Sequence, residues 1–343
     1  MNRQRLPYES LRDSTLFVAG QLDPTMGGRP YALNAFPAQP RRTVYGYIER
    51  GLLPGELNTF DFANPETHSP QRFLTSVPQQ ALYLMNSPFI AEQAKHLTER
   101  SEIRFARDDR TRVQTLYRIV YGREATTAEI DDALAYIGGE TGKRGEPAAK
   151  VQSPWQYGMG DWNEKSGHVT FQQFRIFADE HWQSASLLPQ PLIGSASLSA
   201  KGGMPGDDAQ HAVIRRWISP VAGVVSVSGS LAHKLGDRAM GDGVRVRVIH
   251  SQKGKLLEEV VKNRTAEVAL SEVRVEPGDT LDFIVDCLAN PENDSFLWTP
   301  EVQMKPESWK AAEGFRGPDP ILLDSWEKYA QVLLETNEFA FVD

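Results

Sequence analysis

The 343 residues are 40% hydrophobic and 24% charged with a net charge of −8, which describes a globular chain too long for one ordinary core and without the basic stripe that nucleic acid requires. The longest apolar runs fall far short of the ~20 residues a membrane-spanning helix needs, and no apolar stretch follows Met1-Asn2-Arg3-Gln4 as a signal peptide demands. A single cysteine, Cys287, excludes an internal disulfide, and no C-x-x-C-H is present to attach haem.

Helical signals fill the first third. Tyr8 to Ala19 sets Leu11, Leu16 and Val18 among polar residues and stops at Gly20, and Met26 to Pro30 reads as a turn. Pro78 suits a first helical turn, Ala81, Leu82, Leu84 and Met85 form an apolar face, and Asn86-Ser87-Pro88 ends that helix while capping a second that runs to about Arg100. Asp109 to Tyr121 carries Val113, Leu116, Tyr117 and Val120 at helical spacing and meets Gly122, and Thr126 with Glu129 forms a capping box for the next helix.

After Gly138-Gly139 the stretch GETGKRGEPAAK reads as a linker, and from Trp155 a period of two replaces the helical stripe. Val169 to Phe177, Ala212 to Ile218, Val224 to Leu231, Val244 to Ile249, Glu267 to Val275 and Leu281 to Val285 are short strand-like runs between turns, which indicates an antiparallel sandwich. Gly202 to Gly206 and Pro306 to Pro320 read as loops, and Ile321 to Glu338 returns to a helical pattern. The expected fold class is α+β multidomain: a discontinuous all-α domain, residues 1–148 and 308–343, interrupted by a jelly-roll-like antiparallel β-sandwich at 149–307.

The seven histidines adopt no metal-ligand spacing, and neither a nucleophile elbow nor a phosphate-binding glycine motif is present. His68, with Asp61, Glu66 and Arg72 near in sequence, is the one catalytic candidate, against the alternative that it only helps fix its loop. Arg41 and Arg42 are candidates for clamping an anion, unless one pairs with an acid and the other is solvated. Trp155, Tyr157 and Trp162 cluster at the start of the β-rich part and are the candidates for a sugar-stacking platform, while Trp217 and Trp298 are expected in the core. Asp237, Asp242, Asp286, Asn293 and Asp294 offer hard oxygen ligands for calcium without any EF-hand spacing, so no metal site is assigned. Cys287 alternates with Phe283 and Val285 and is expected to be buried and inert.

The block RRTVYGYIERGLLPGELNTFDFANPETHSPQRFLTSVPQQALYLMNSPF at Arg41 to Phe89, with Leu11 to Gly28 before it and Trp326 to Asp343 at the end, resembles a large family of exported planctomycete surface proteins of undefined activity, often fused to cytochrome c-like modules. The resemblance implies an exported, surface-located protein of which this is the C-terminal part. The runs RRWISP, GDGVRVRV and DSFLWTPEV resemble jelly-roll modules attached to polysaccharide-acting enzymes. Together these give a leading expectation of a non-catalytic scaffold whose sandwich binds polysaccharide or envelope glycan, with no nucleic-acid partner and no cofactor in this chain. Two alternatives stand beside it: the end of a carbohydrate-acting or redox enzyme whose catalytic or haem groups lie in a missing N-terminal portion, and a structural module that packs against a protein partner.

Overall fold

The computed structural model describes residues 4–49, 53–140, 153–233 and 241–342. Most of the expected linker, the 148/149 boundary and Asp237 therefore lie outside the described residues. The chain divides into two compact units, Met1–Lys150 with Asp319–Asp343, and Val151–Pro318.

In the first unit several helix ends are set by local chemistry. Asp108 accepts from the Thr111 N–H at 2.7 Å to open Asp109–Tyr121, and Gly122 at φ 71° closes it. Thr126 and Glu129 bond each other's backbone N–H at 2.7 and 3.3 Å ahead of the Thr127–Glu140 helix. Pro78 and Pro88 open the helices Pro78–Asn86 and Pro88–Glu99, with Ser87 between them. Asp324 and Glu327 form a second reciprocal cap, at 2.8 and 2.9 Å, for the closing helix Ser325–Glu335. Leu333 and Leu334 of that helix pack with Ile90, Ala94, Leu97 and Leu116 of the opening part in one core. The Tyr121 hydroxyl donates to the Leu333 carbonyl at 3.1 Å, and Arg123 forks onto Glu129 and Glu338. The ends of the chain meet as well, Gln4–Arg5 pairing antiparallel with Phe341–Val342.

Between these helices run long ordered loops, held by guanidinium groups. The buried Arg12 donates to the Gln39 carbonyl at 2.6 Å, the Arg41 carbonyl at 3.0 Å and the Tyr31 hydroxyl at 2.9 Å. Arg5 donates to the Thr75 carbonyl at 3.0 Å and to Asp61 at 2.9 Å, and Arg100 to the Val18 carbonyl at 2.9 Å. A guanidinium offers five donors in a rigid plane, so one side chain satisfies several loop carbonyls that no helix or strand serves.

The second unit is an antiparallel sandwich. Its six-stranded sheet runs, in spatial order, Gly254–Val261, Val244–His250, Thr280–Asp286, Ala212–Ile218, Trp155–Asn163, His168–Gln173. A seven-stranded and a four-stranded sheet lie on the other side of a core in which Trp217, Phe283, Trp298, Val227, Val246 and Val285 meet. Trp217 and Trp298 are core residues, as expected, with Trp298 edge-on to Phe283 at 5.5 Å.

Three runs that read as single strands are each divided. Val169–Phe177 becomes His168–Gln173 in the six-stranded sheet and Ile176–Ala178 in the seven-stranded one. Val224–Leu231 splits into Gly223–Ser228 and Ser230–His233, and Glu267–Val275 into Arg264–Glu267 and Leu270–Val275, again in different sheets. In Val224–Leu231 alternation survives the corner because Val225, Val227 and Leu231 all face the same core, so the pattern carries no mark of it, whereas in Val169–Phe177 Val169 and Phe171 face outward and Phe174 faces the core.

Two loop expectations are corrected. Gly202–Gly206 is a strand between Gly194–Leu198 and Phe296–Trp298. A Cβ on Gly202 would run into the Phe296 carbonyl oxygen, so glycine here permits close strand approach. Residues 308–318, expected in the helical domain, fold with the sandwich: Glu307–Lys310 pairs with Glu301–Met304, Trp309 packs 5.3 Å from Trp217, and Ala311 is buried in the same core.

Candidate functional site

On the outer face of the six-stranded sheet a second, small apolar cluster of Ala212, Ile214, Ile249 and Ile284 is covered by Trp162, Val169 and Phe171. These three belong to the Trp155–Asn163 and His168–Gln173 hairpin, whose tip reaches across the sheet: Lys255 donates to Glu164 at 3.3 Å. Gly158 and Gly160 make this close packing possible, because a Cβ on either would run into the carbonyl oxygen of Gln172 or Thr170 on the partner strand. Arg216 lies 4.2 Å over the Phe171 ring and grips Asp282 with two bonds of 2.6 and 2.8 Å. Burial pushes the Asp282 carboxyl up, and the guanidinium opposes it.

Where this hairpin turns back, it borders a cleft of about 430 Å³ lined by Met159, Gly160, Asp161, Thr170, Phe171, Gln172, Gln210 and His211. Its far wall is the short turn Ala209–His211, capped by Asp208, whose Oδ1 accepts from the backbone N–H groups of Gln210 and His211 at 2.8 and 3.0 Å. The same oxygen takes the His211 Nδ1–H at 2.8 Å, which fixes the ring and leaves Nε2 for another partner. Thr170 is engaged with the Asp161 backbone at 3.0 and 3.2 Å. The Asp161 carboxylate and the Gln172 and Gln210 carboxamides bond no other group of the protein among the described residues. The cleft thus presents acceptors and donors with spare capacity, with Met159 on the same face as Asp161 and Gln172.

The residues singled out by sequence lie elsewhere. Trp155 and Tyr157, at 5% exposure each, are core residues: Trp155 packs 5.6 Å from Phe283, and the Tyr157 hydroxyl donates to the Ala311 carbonyl at 3.2 Å. With Met159 they occupy the inward parity of their strand, so neither offers a ring to a ligand. Trp162 covers the outer apolar cluster, half-buried. Arg41 and Arg42 do not converge on an anion. Arg41 stacks 4.2 Å from the Tyr45 ring and donates to the Arg29 and Gly27 carbonyls, whereas Arg42 pairs with Asp13 at 3.3 Å. His68 is exposed in its loop, and its expected neighbours are engaged away from it, Asp61 with Arg5 and Thr75 and Arg72 with Glu9.

Of the oxygens considered for calcium, Asp242 accepts from the Ala289 N–H at 3.0 Å and Asp286 from Arg245 at 3.0 and 3.1 Å. Asp294 is fully buried with both carboxyl oxygens unbonded, 3.8 Å from His233 Nε2. Burial, with Asp242 and Asp286 adding to it, pushes its carboxyl up to about 7. Among the described residues no three His, Cys, Asp or Glu side chains group as a metal site. Cys287 is buried, and burial with the charges of Asp294 and Asp286 pushes its thiol up to about 12, far from a reactive thiolate. Among the described residues no helix is long and apolar enough to cross a membrane.

No curated protein matches the sequence. Among solved structures, a family 35 carbohydrate binding module from Clostridium thermocellum aligns at 8% identity over 36% of this chain and 87% of its own, with a TM-score of 0.20. A GH26-CBM35 β-(1,4)-mannanase from Podospora anserina aligns at 15% identity over 38% of this chain and 27% of its own, also with a TM-score of 0.20. At those scores the likeness bears no weight on function. Residues 1–137 match the family model of PSD1, described as a protein of unknown function (DUF1553); this stretch holds the Leu11–Gly28 and Arg41–Phe89 motifs, and a β-sandwich follows it.

Proposed function

We propose that the sandwich binds a neutral glycan in the cleft at Gly160, within an exported surface protein whose helical unit is a non-catalytic scaffold. The observation that carries the reading is the set of unbonded polar side chains there, Asp161, Gln172 and Gln210, with His211 held by Asp208. A sugar ring offers alternating C–H and O–H groups, so it needs an apolar flank and several convergent donors and acceptors. Met159, whose strand register puts it on the same face as Asp161 and Gln172, supplies the flank, the two carboxamides can each donate and accept, and the Asp161 carboxylate accepts from a hydroxyl. That carboxylate, with no lysine or arginine among the described residues that line the cleft, favours neutral over acidic sugars.

Affinity electrophoresis of the whole chain through neutral and acidic polysaccharides tests this. Retention by at least one neutral polysaccharide is expected, weakened about tenfold or more by Gln172→Ala or His211→Ala with Tm unchanged, since each removes a ligand bond. Passage through every gel without retention, or retention that both substitutions leave intact, rejects the reading.

A further inference from the structure

The apolar face expected on the helix Pro78–Asn86 does not enter the core. Leu84 is buried, with Gln80 one turn before it, whereas Ala81 is exposed and Leu82 and Met85 stand 56% and 60% exposed. Leu82 and Met85 are three positions apart and Ala81 lies four from Met85, so the three form one stripe on the solvent side of the helix. Val77, which precedes the helix, is exposed too, as are Phe73 and Leu74 in the segment leading to it. At the far end Gln331 of the closing helix donates to the Met85 carbonyl at 3.3 Å, which brings that helix, with Val332 exposed, alongside.

This surface is fixed without a partner. The Thr75 N–H and hydroxyl both donate to Asp61 at 2.8 Å, and Arg5 donates to the Thr75 carbonyl at 3.0 Å, so the segment ahead of the helix is tied down on both sides of its backbone. Docking onto it then needs little further ordering. From Phe73 to Ala91 there is no aspartate, glutamate, lysine or arginine, in a chain of which 24% is charged. The exposed polar side chains of the helix, Gln79 and Asn86, are carboxamides, and Glu335 of the closing helix is half-buried and accepts from Gln331 at 2.8 Å.

We propose that this face docks a second copy of the same chain, the two Pro78–Asn86 helices packing on each other about a two-fold axis. In such a contact a residue near the axis meets its own copy, so a charge there faces a like charge, while apolar groups and carboxamides, which donate and accept, suit themselves. The stripe holds only residues of that second kind. With a net charge of −8 on each copy, a charge-free face is also where two of these molecules approach with least repulsion, and a partner recognised by its charge finds nothing there to pair with. The face lies within the helical unit and is independent of the glycan reading.

Sedimentation of the whole chain from about 1 µM to about 1 mM is expected to show a monomer passing to a dimer. Added salt is expected to tighten the dimer, because it screens the repulsion between two acidic copies while the contact has no ion pair to lose. Leu82→Lys and Met85→Lys are each expected to weaken it at least about tenfold, since each buries a charge in an apolar contact. Val224→Lys, at a similarly exposed apolar residue of the sandwich, is expected to leave it intact, with all three variants folded by circular dichroism. A monomer mass across the whole range overturns the proposal, and flotation of that monomer with phosphatidylcholine vesicles gives the face to a lipid surface instead. A dimer that both helix lysines leave intact, that Val224→Lys weakens as much as they do, or that salt weakens severalfold overturns it as well.

Discussion

The two units hold irregular backbone in different ways. In the helical unit, loops spanning Gly20 to Glu49 and Asp61 to Val77 lack long strands, and Arg5, Arg12 and Arg72 bond their carbonyls. In the sandwich the ladders already satisfy the backbone, and the arginines of the outer face, Arg216 and Arg245, pair instead with carboxylates on the neighbouring strand, Asp282 and Asp286. On the sandwich's outer face arginine therefore fastens finished strands, while in the helical loops, and at the buried Arg215 inside the sandwich, it satisfies backbone carbonyls. Removing an arginine should cost most where it stands in for a ladder, and removing an aromatic should cost most where sheets enclose it.

The largest effect is expected from Trp217→Ala, which empties a fully buried site between sheets and should cost about 3–5 kcal/mol. Chemical denaturation followed by calorimetry should show the loss in the sandwich transition alone; a matching shift of the helical transition would undo the division drawn here. Arg12→Met comes next at about 2–4 kcal/mol, because four acceptors lose their donor at once. Limited proteolysis should then cut near Gln39 to Arg42, and unchanged protection there would show that the loop holds without its arginine.

Asp294→Asn should stabilise the protein, and only on one side of a pH window. The folded carboxyl sits at about 7, above its usual range near 4, so the folded state holds the proton more tightly than the unfolded chain. Below about pH 4 both states are protonated and nothing is lost; stability falls as pH rises toward 7 and stays reduced above it. The variant should therefore match the parent at pH 3.5 and exceed it by ~1–3 kcal/mol at pH 8 in urea titrations. A variant that loses stability at pH 8, together with a parent Tm that rises with added calcium, would replace the proton by a cation. The smallest effect is expected from Arg42→Ala, within about 0.5 kcal/mol, since the Arg42 guanidinium is exposed and Asp13 keeps its bonds from Thr43 without it. A larger loss in thermal melts would place Arg42 among the loop-holding arginines.

Local signals in the sequence reached the structure where the cause is local. Gly122, the Thr126–Glu129 box and the Pro88 start depend on a few adjacent residues and read directly as helix ends. The sandwich was legible as alternation, yet its corners were not, since a run such as Val224 to Leu231 keeps its parity across the change of sheet. Arg12 gave no warning, because its acceptors are carbonyls 27 and 29 positions away and carbonyls are common to all residues. Trp155 and Tyr157 attracted notice as aromatics close in sequence; their shared parity with Met159 was the available sign that they face inward. The polar residues of the Gly160 cleft come from a hairpin and a turn about forty positions apart, and only the fold brings Gln172 to Gln210.

The pairing of Gln4–Arg5 with Phe341–Val342 has a consequence for how the molecule is made. At roughly 5–20 residues per second of synthesis, the ribosome releases the closing helix on the order of 10–40 s after the early helices, with the entire sandwich emerging in between. During that interval Ile90, Leu97 and Leu116 lack the leucines that complete their core, so the nascent helical half is the stage at which a chaperone has most to shield.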